Sequence, residues 1–256
     1  MPLTVAALLE RRPAALVARR ALTQGGVRVV QARSPAHLAT ILGHELLDAI
    51  VLGLAVARGP ALDALGRDYP GVPVLLFAPV RAEDAGVLLR AAQARVVGLA
   101  IEGLDEPVLV RTVQRLGVTA RRRAALLPLA PALGLADELQ RKAWEIVVTD
   151  APLGLDTALL AKRLRVARET LSRRFAAGGA PSLKRAIDAV RVITASQLLA
   201  SPAYRVADAA SLLGFTSQSL LYRTARRTLG VPLGEVARLE GDRLASRLRD
   251  VPAEWR

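Results

Sequence analysis

The chain has 256 residues, 52% of them apolar, which is enough to fill two cores and too apolar for a disordered chain. Cysteine is absent, so disulfides and thiolate metal sites are excluded, and no apolar run reaches the roughly 18–20 residues needed to span a bilayer. A formal net charge of +13 favours a polyanionic partner, provided the charge is gathered in one place.

The N-terminus, MPLTVAALLERR, has no basic segment before its apolar run, and we expect an untargeted, cytoplasmic protein. From Leu3 to about Leu116, LTVAALL, VRVVQA, DAIVLGL, PVLLFAP and VVGLAI read as buried strands. They alternate with the helical patterns RRPAALVARRALTQGG, SPAHLATILGHEL, GPALDALGRDY and RAEDAGVLLRAAQA, and EPVLVRTVQRL closes the series. Five strands alternating with five helices predict a parallel sheet covered on both faces, an α/β domain over residues 1–120. His37 and His44 lie two turns apart on the second predicted helix, too far to chelate one ion together, so we expect no metal site. Neither a G-x-S-x-G turn, a P-loop nor a G-x-G-x-x-G is present, and we expect no catalytic residue, no cofactor and no enzyme activity.

Residues 121–135 combine the basic triplet Arg121–Arg123 with Pro128, Pro131 and Gly134, and read as a linker. LADELQRKAWEIVVTD follows as a helix with Leu139, Ala143 and Ile146 facing inward and Trp144 as a packing anchor. It opens a second domain over residues 136–240, so a fragment starting near Ala136 should fold alone. The tail, residues 241–256, has no assigned task.

Inside the second domain one arrangement occurs twice. In LDTALLAKRLRVARETLSRRFAAGG, Leu155 to Gly179, the apolar residues Ala161, Val166, Leu171 and Phe175 take the places that Ala210, Phe215, Leu221 and Ala225 take in YRVADAASLLGFTSQSLLYRTARRTLG, Tyr204 to Gly230. The second turn has one extra residue, is centred on Gly214, and offers Thr216 as helix cap. Between them, PSLKRAIDAVRVITASQLLAS reads as a rigid helix with Ile187, Val190, Ala195, Leu198 and Leu199 on one side. Residues 155–232 carry thirteen Lys or Arg against four Asp or Glu, so the positive charge is concentrated here.

This second domain resembles the DNA-binding domain of the AraC/XylS transcription regulators from about Ala136 to Ala237. The likeness rests on Leu171, Ser172, Arg173 and Phe175, on Arg191, Ala195, Leu198 and Leu199 in the linking helix, and on Gly214, Phe215, Ser217, Gln218, Arg223 and Gly230. Ala167 stands in place of a capping Ser, Ala180 in place of a glycine, Leu221 and Ala225 in place of two aromatic residues, and Pro232-Leu233 in place of Ser-Pro. The resemblance implies an all-α domain of two tandem helix-turn-helices. Their recognition helices, about Arg168–Ala176 and Ser217–Arg227, would enter successive major-groove segments of double-stranded DNA about 34 Å apart. The candidate contacts are Arg168, Thr170, Ser172 and Arg173 in the first helix and Ser217, Gln218, Tyr222, Arg223, Arg226 and Arg227 in the second. Gln218 and Arg223 suit adenine and guanine edges, Arg226 and Arg227 suit phosphates, and Glu169 accepts from cytosine or stays solvated.

The first domain is similar in its order of elements to a response-regulator receiver domain, a flavodoxin-like fold. That implies an acidic cluster for Mg2+, a phosphoacceptor aspartate, a switch Ser or Thr and a lysine. By spacing these fall at Leu9 and Glu10, at Gly53, at Ala78 and near Glu102. One carboxylate cannot replace the cluster and Gly53 has no side chain to phosphorylate, so we expect a pseudo-receiver. Control would then come through a ligand, a protein partner or expression level, and a homodimer through the N-terminal domain is a further candidate partner. The alternative reading is a protein–protein interaction module whose helix-turn-helix domain has lost specific DNA recognition.

Overall fold

The computed structural model describes residues 3–94, 96–201 and 204–250. The last six residues of the expected tail, 251–256, lie outside them. The described residues form two units, one running through Ala120 and taking in Ser201, the other running from Arg121.

In the first unit, β1 (Thr4–Leu8), β2 (Arg28–Gln31), β3 (Ala49–Leu52), β4 (Val74–Ala78) and β5 (Val96–Ile101) pair in parallel in the order β2-β1-β3-β4-β5. This is the flavodoxin-like order. The helices are α1 (Arg12–Gln24), α2 (Pro35–His44), α3 (Leu54–Arg58), α4 (Ala61–Asp68), α5 (Ala85–Gln93) and α6 (Glu106–Leu126), whose residues from Arg121 onward belong to the second unit. Because successive strand side chains point to opposite faces, the apolar runs supply two cores at once. Val5, Ala7, Val51, Leu75 and Phe77 pack with Ala18 and Leu22 of α1 and with Leu109 and Val113 of α6. On the other face Ala6, Leu8, Ile50, Leu52 and Leu76 pack with Leu38 of α2, Ala57 of α3, Leu62 of α4 and Ala91 of α5.

Two elements differ from the sequence reading. The strand read through Leu54 stops at Leu52, and Gly53 becomes the extended N-cap of α3. A short apolar run does not distinguish strand from helix, and here Leu54 and Ala57 bury as one helical face. The helix read as ending at Leu116 continues to Leu126, since nothing breaks it before Pro128. His37 accepts a hydrogen bond from the Arg33 N–H at 3.2 Å. Among the described residues no three His, Asp or Glu side chains gather as a metal site, and no helix is long and apolar enough to cross a membrane.

The second unit contains α7 (Glu138–Asp150), α8 (Thr157–Leu164), α9 (Arg168–Phe175), α10 (Leu183–Leu199), α11 (Val206–Leu212), α12 (Gln218–Leu229) and α13 (Gly241–Arg249). Helix α10 is its axis, buried on nearly every side and packed against α7, α11, α12 and α13. Residues 121–135, read as a linker, are structured, with Leu126, Leu133 and Leu135 in the core. The buried Arg122 guanidinium donates to the carbonyls of Val148 (2.6 Å) and Thr149 (3.0 Å) and to Thr194 Oγ1 (3.2 Å), closing the C-terminal end of α7. Burial, reinforced by the neighbouring Arg123 charge, lowers its pKa to about 10. Trp144 is buried as a packing anchor and its indole N–H donates to the Leu126 carbonyl at 3.0 Å. The inward face of α7 is rotated from the one read in sequence: Gln140, Ala143, Trp144, Val147 and Val148 are buried, while Leu139 and Ile146 are half-buried. The end of α6 covers the Trp144 side of the helix, and this contact is not encoded in α7.

Candidate nucleic-acid interface

Two pairs of helices, α8 with α9 and α11 with α12, are joined by turns that close in the same way. At the end of α8, Arg165 adopts left-handed backbone (φ 55°), its N–H donates to Lys162 O (3.2 Å), and the Val166 N–H donates to Ala161 O (3.1 Å). After α11, Gly214 is left-handed (φ 73°), its N–H donates to Ser211 O (3.1 Å), and the Phe215 N–H donates to Ala210 O (2.9 Å). Glycine takes this conformation without a Cβ penalty, and arginine does not. The cap of α12 is Ser217 and not Thr216: its extended backbone (φ −158°, ψ 158°) precedes the helix, and its Oγ accepts from the Leu220 N–H at 3.1 Å. Helix α9 starts after Ala167 with no side-chain cap.

Each second helix buries one face and leaves the other to solvent. Leu171 and Phe175 of α9 are buried, Arg168, Glu169 and Arg173 are exposed, and Thr170 and Ser172 are half-buried. Arg168 lies 3.6 Å from Glu169. In α12 Leu221, Thr224, Ala225, Thr228 and Leu229 are buried. Gln218, Ser219, Tyr222, Arg223, Arg226 and Arg227 lie outward, Tyr222 with 46% of its surface exposed. The ten candidates therefore fall on two helical faces, although the Ser217 hydroxyl is engaged in capping and Arg227 is ion-paired to Asp188 of α10 at 3.1 Å. Ser219 escaped the sequence reading; its position next to Gln218 on the polar side was the available signal.

Side chains outside the two pairs hold these helices in place. The buried Gln140 Oε1 accepts from the N–H groups of Ala136 (2.8 Å) and Asp137 (3.0 Å). Its Nε2 donates to the carbonyls of Arg174 (3.0 Å), Phe175 (3.2 Å) and Ala177 (3.3 Å), at the C-terminal end of α9. Asp137 caps α7 by accepting from the Gln140 N–H at 2.7 Å and pairs with Arg174 at 3.1 Å; these bonds, that from Gln140 first, hold its pKa below the usual carboxylate value. Arg191 donates to Ala151 O (3.0 Å) and Leu155 O (2.9 Å), just before α8. Arg185 donates through Nε and Nη2 to Thr228 O (3.1 and 2.8 Å) and through Nη2 to Arg247 O (2.9 Å), closing α12 and α13, and burial lowers its pKa. The Asp-x-x-Gln spacing of a capping box could have revealed Gln140. Nothing local marks Arg122.

In the first unit Gly53 lies at the C-terminal end of β3, and a Cβ added there would overlap the carboxylate of Glu10. Glu10 Oε1 accepts from the Val56 N–H of α3 at 2.5 Å. Ala78 ends β4, and Glu102, one residue past β5, pairs with Arg11 at 2.9 Å.

Residues 160–238 match a family model described as a helix-turn-helix domain. No curated protein matches the chain in sequence. Among solved structures the chain is similar to a response regulator from Thermotoga maritima (19% identity, 45% of this chain and 98% of that one, TM-score 0.40). It is also similar to full-length FixJ from B. japonicum (12% identity, 89% and 98%, TM-score 0.42). A third is the N-terminal signal receiver domain of a two-component response regulator from Bacteroides fragilis (20% identity, 45% and 97%, TM-score 0.39). Residues 160–238 are accordingly a helix-turn-helix domain of the AraC type, joined to a unit of flavodoxin-like fold.

Proposed function

We propose that this protein is a sequence-specific transcription regulator, acting in the cytoplasm, that reads DNA with two helix-turn-helix units and carries a receiver-like unit that works without phosphorylation. The observation that carries the DNA reading is the bond-for-bond repetition of the two turns, each followed by a helix with a polar, basic outer face. Arg173 and Arg223 carry the bidentate donors that suit guanine edges, and Gln218 suits adenine. Arg168 and Arg226, at the ends of their helices, are assigned to phosphates. Helix α10, 17 residues or about 25 Å long, separates the two units, in keeping with half-sites one helical turn apart.

Phosphorylation independence is supported by the ends of the strands. Gly53 has no acceptor atom, the Glu10 carboxylate stands over it and would repel a phosphoryl dianion, and the place of the family's lysine holds Glu102.

Selecting sites from random DNA and then measuring binding to a selected and a scrambled duplex, with competitor and at two salt concentrations, tests the reading. The selected duplex should bind more tightly at both concentrations, and Gln218→Ala or Arg223→Ala should narrow the gap by roughly 1–3 kcal/mol. Equal affinity for both duplexes would sink it. Acetyl phosphate or beryllofluoride with Mg2+ should change neither mass, oligomeric state nor affinity; a hydroxylamine-labile phosphate on the first unit would overturn that part.

A further inference from the structure

The four outward-facing cations of the two recognition helices that have been assigned to DNA differ from Arg227. Among the described residues no carboxylate pairs with Arg173, Arg223 or Arg226, and Arg168 meets only its exposed neighbour Glu169. Arg227 Nη2 lies 3.1 Å from Asp188 Oδ2, and the same oxygen lies 3.4 Å from Lys184 Nζ, one turn earlier on α10. The Asp188 side chain is 12% exposed, against 56% for Arg227 and 75% for Lys184.

A carboxylate so far removed from water needs a partner, and removing the partner leaves an uncompensated charge. Drawing Arg227 away to a phosphate would therefore cost the pair its principal contact. Keeping it there subtracts cations from the DNA-facing side. Non-specific attraction to DNA scales with the number of phosphates a protein neutralises, and it is blind to sequence.

We propose that Asp188 is a specificity-determining residue: by holding Arg227 and Lys184 on the protein it withholds two cations from DNA phosphates and ties α12 to α10. The proposal rests on the reading of α12 as a DNA-facing helix. Asp188 acts through Arg227 and Lys184 and touches no base itself.

The test is the slope of log affinity against log salt concentration on the scrambled duplex, with the full-length chain. Asp188→Asn should bind this duplex more tightly and steepen the slope by about one to two units, since each phosphate newly neutralised adds roughly 0.9. It should also narrow the gap between selected and scrambled duplexes. Adding Arg227→Ala to Asp188→Asn should return about one unit. In the native background Arg227→Ala should leave the slope unchanged, whereas Arg226→Ala should flatten it by about one unit. The proposal is overturned if Asp188→Asn leaves slope and scrambled affinity as they were, or if Arg227→Ala alone flattens the slope as a direct phosphate contact would. Should Asp188→Asn fail to fold by circular dichroism, Arg227→Ala decides the matter on its own. A wild-type protein that cannot tell selected from scrambled DNA would remove the proposed function while leaving these slopes to judge Asp188 separately.

Discussion

The two helix pairs of the second unit reach one shape by different means. The pair α11–α12 is specified locally: Gly214 takes the left-handed position and Ser217 caps the following helix. The pair α8–α9 has Arg165 and Ala167 at the matching places, so its turn carries backbone strain and its second helix starts without a side-chain cap. What it lacks locally comes from elsewhere. Phe175 fills the buried position that Ala225 holds in the other pair, Gln140 donates to three carbonyls at the end of α9, and Arg174 pairs with Asp137. The first pair therefore depends on α7, and α7 depends on the end of α6 through Arg122 and Leu126. A helix pair can thus be degenerate in its local signals while its geometry is kept by tertiary ties.

The largest effect should come from cutting that dependence. A fragment beginning at Ala136 loses Arg122, Leu126, Leu133 and Leu135, and should be less stable than one beginning near Val118 by more than about 3 kcal/mol. Hydrogen exchange should rise first in α7 to α9. Equal urea midpoints for the two fragments would break the comparison, and would restore the simpler expectation that the chain from Ala136 folds alone.

The turns come next. Gly214→Ala should cost about 1–2 kcal/mol, because a Cβ enters a left-handed residue. Arg165→Gly should shift stability by less, up to about 1 kcal/mol upward, since the relief of strain is offset by the greater freedom of glycine in the unfolded chain. Thermal unfolding of the two variants reads both, and a destabilised Arg165→Gly would mean that the arginine side chain contributes packing. The caps are the smallest pair: Ser217→Ala should lose about 1 kcal/mol and Ala167→Ser should gain no more than that. If Ala167→Ser gains nothing, the start of α9 is already satisfied by other groups.

The apolar runs were sufficient to predict the parallel sheet, because strands buried on both faces must be apolar throughout, and few other segments of that length are. The repeated turn was legible for a similar reason: its apolar positions recur in register even where Gly214 becomes Arg165. The glycine that follows β3 could be read directly, since no environment gives Gly53 a side chain. Boundaries were less legible. Ser217 rather than Thr216 caps α12, and α6 runs on to Leu126, because competing cap residues and an uninterrupted helical pattern differ by too little locally.

Only the tertiary structure decided what the charged and polar side chains do. Arg122 read as part of a basic triplet in a linker until its contact with Thr194, 72 residues away, placed it in the core. Arg227 pairs with Asp188, 39 residues earlier, and Glu10 meets the Val56 N–H across 46 residues. Periodicity reports which side of an element avoids water and is silent on the partner that side meets. Hydrophobic burial is non-directional, so the pattern alone carries it, whereas a hydrogen bond or ion pair requires two particular groups to be brought within about 3 Å, and the fold supplies that distance.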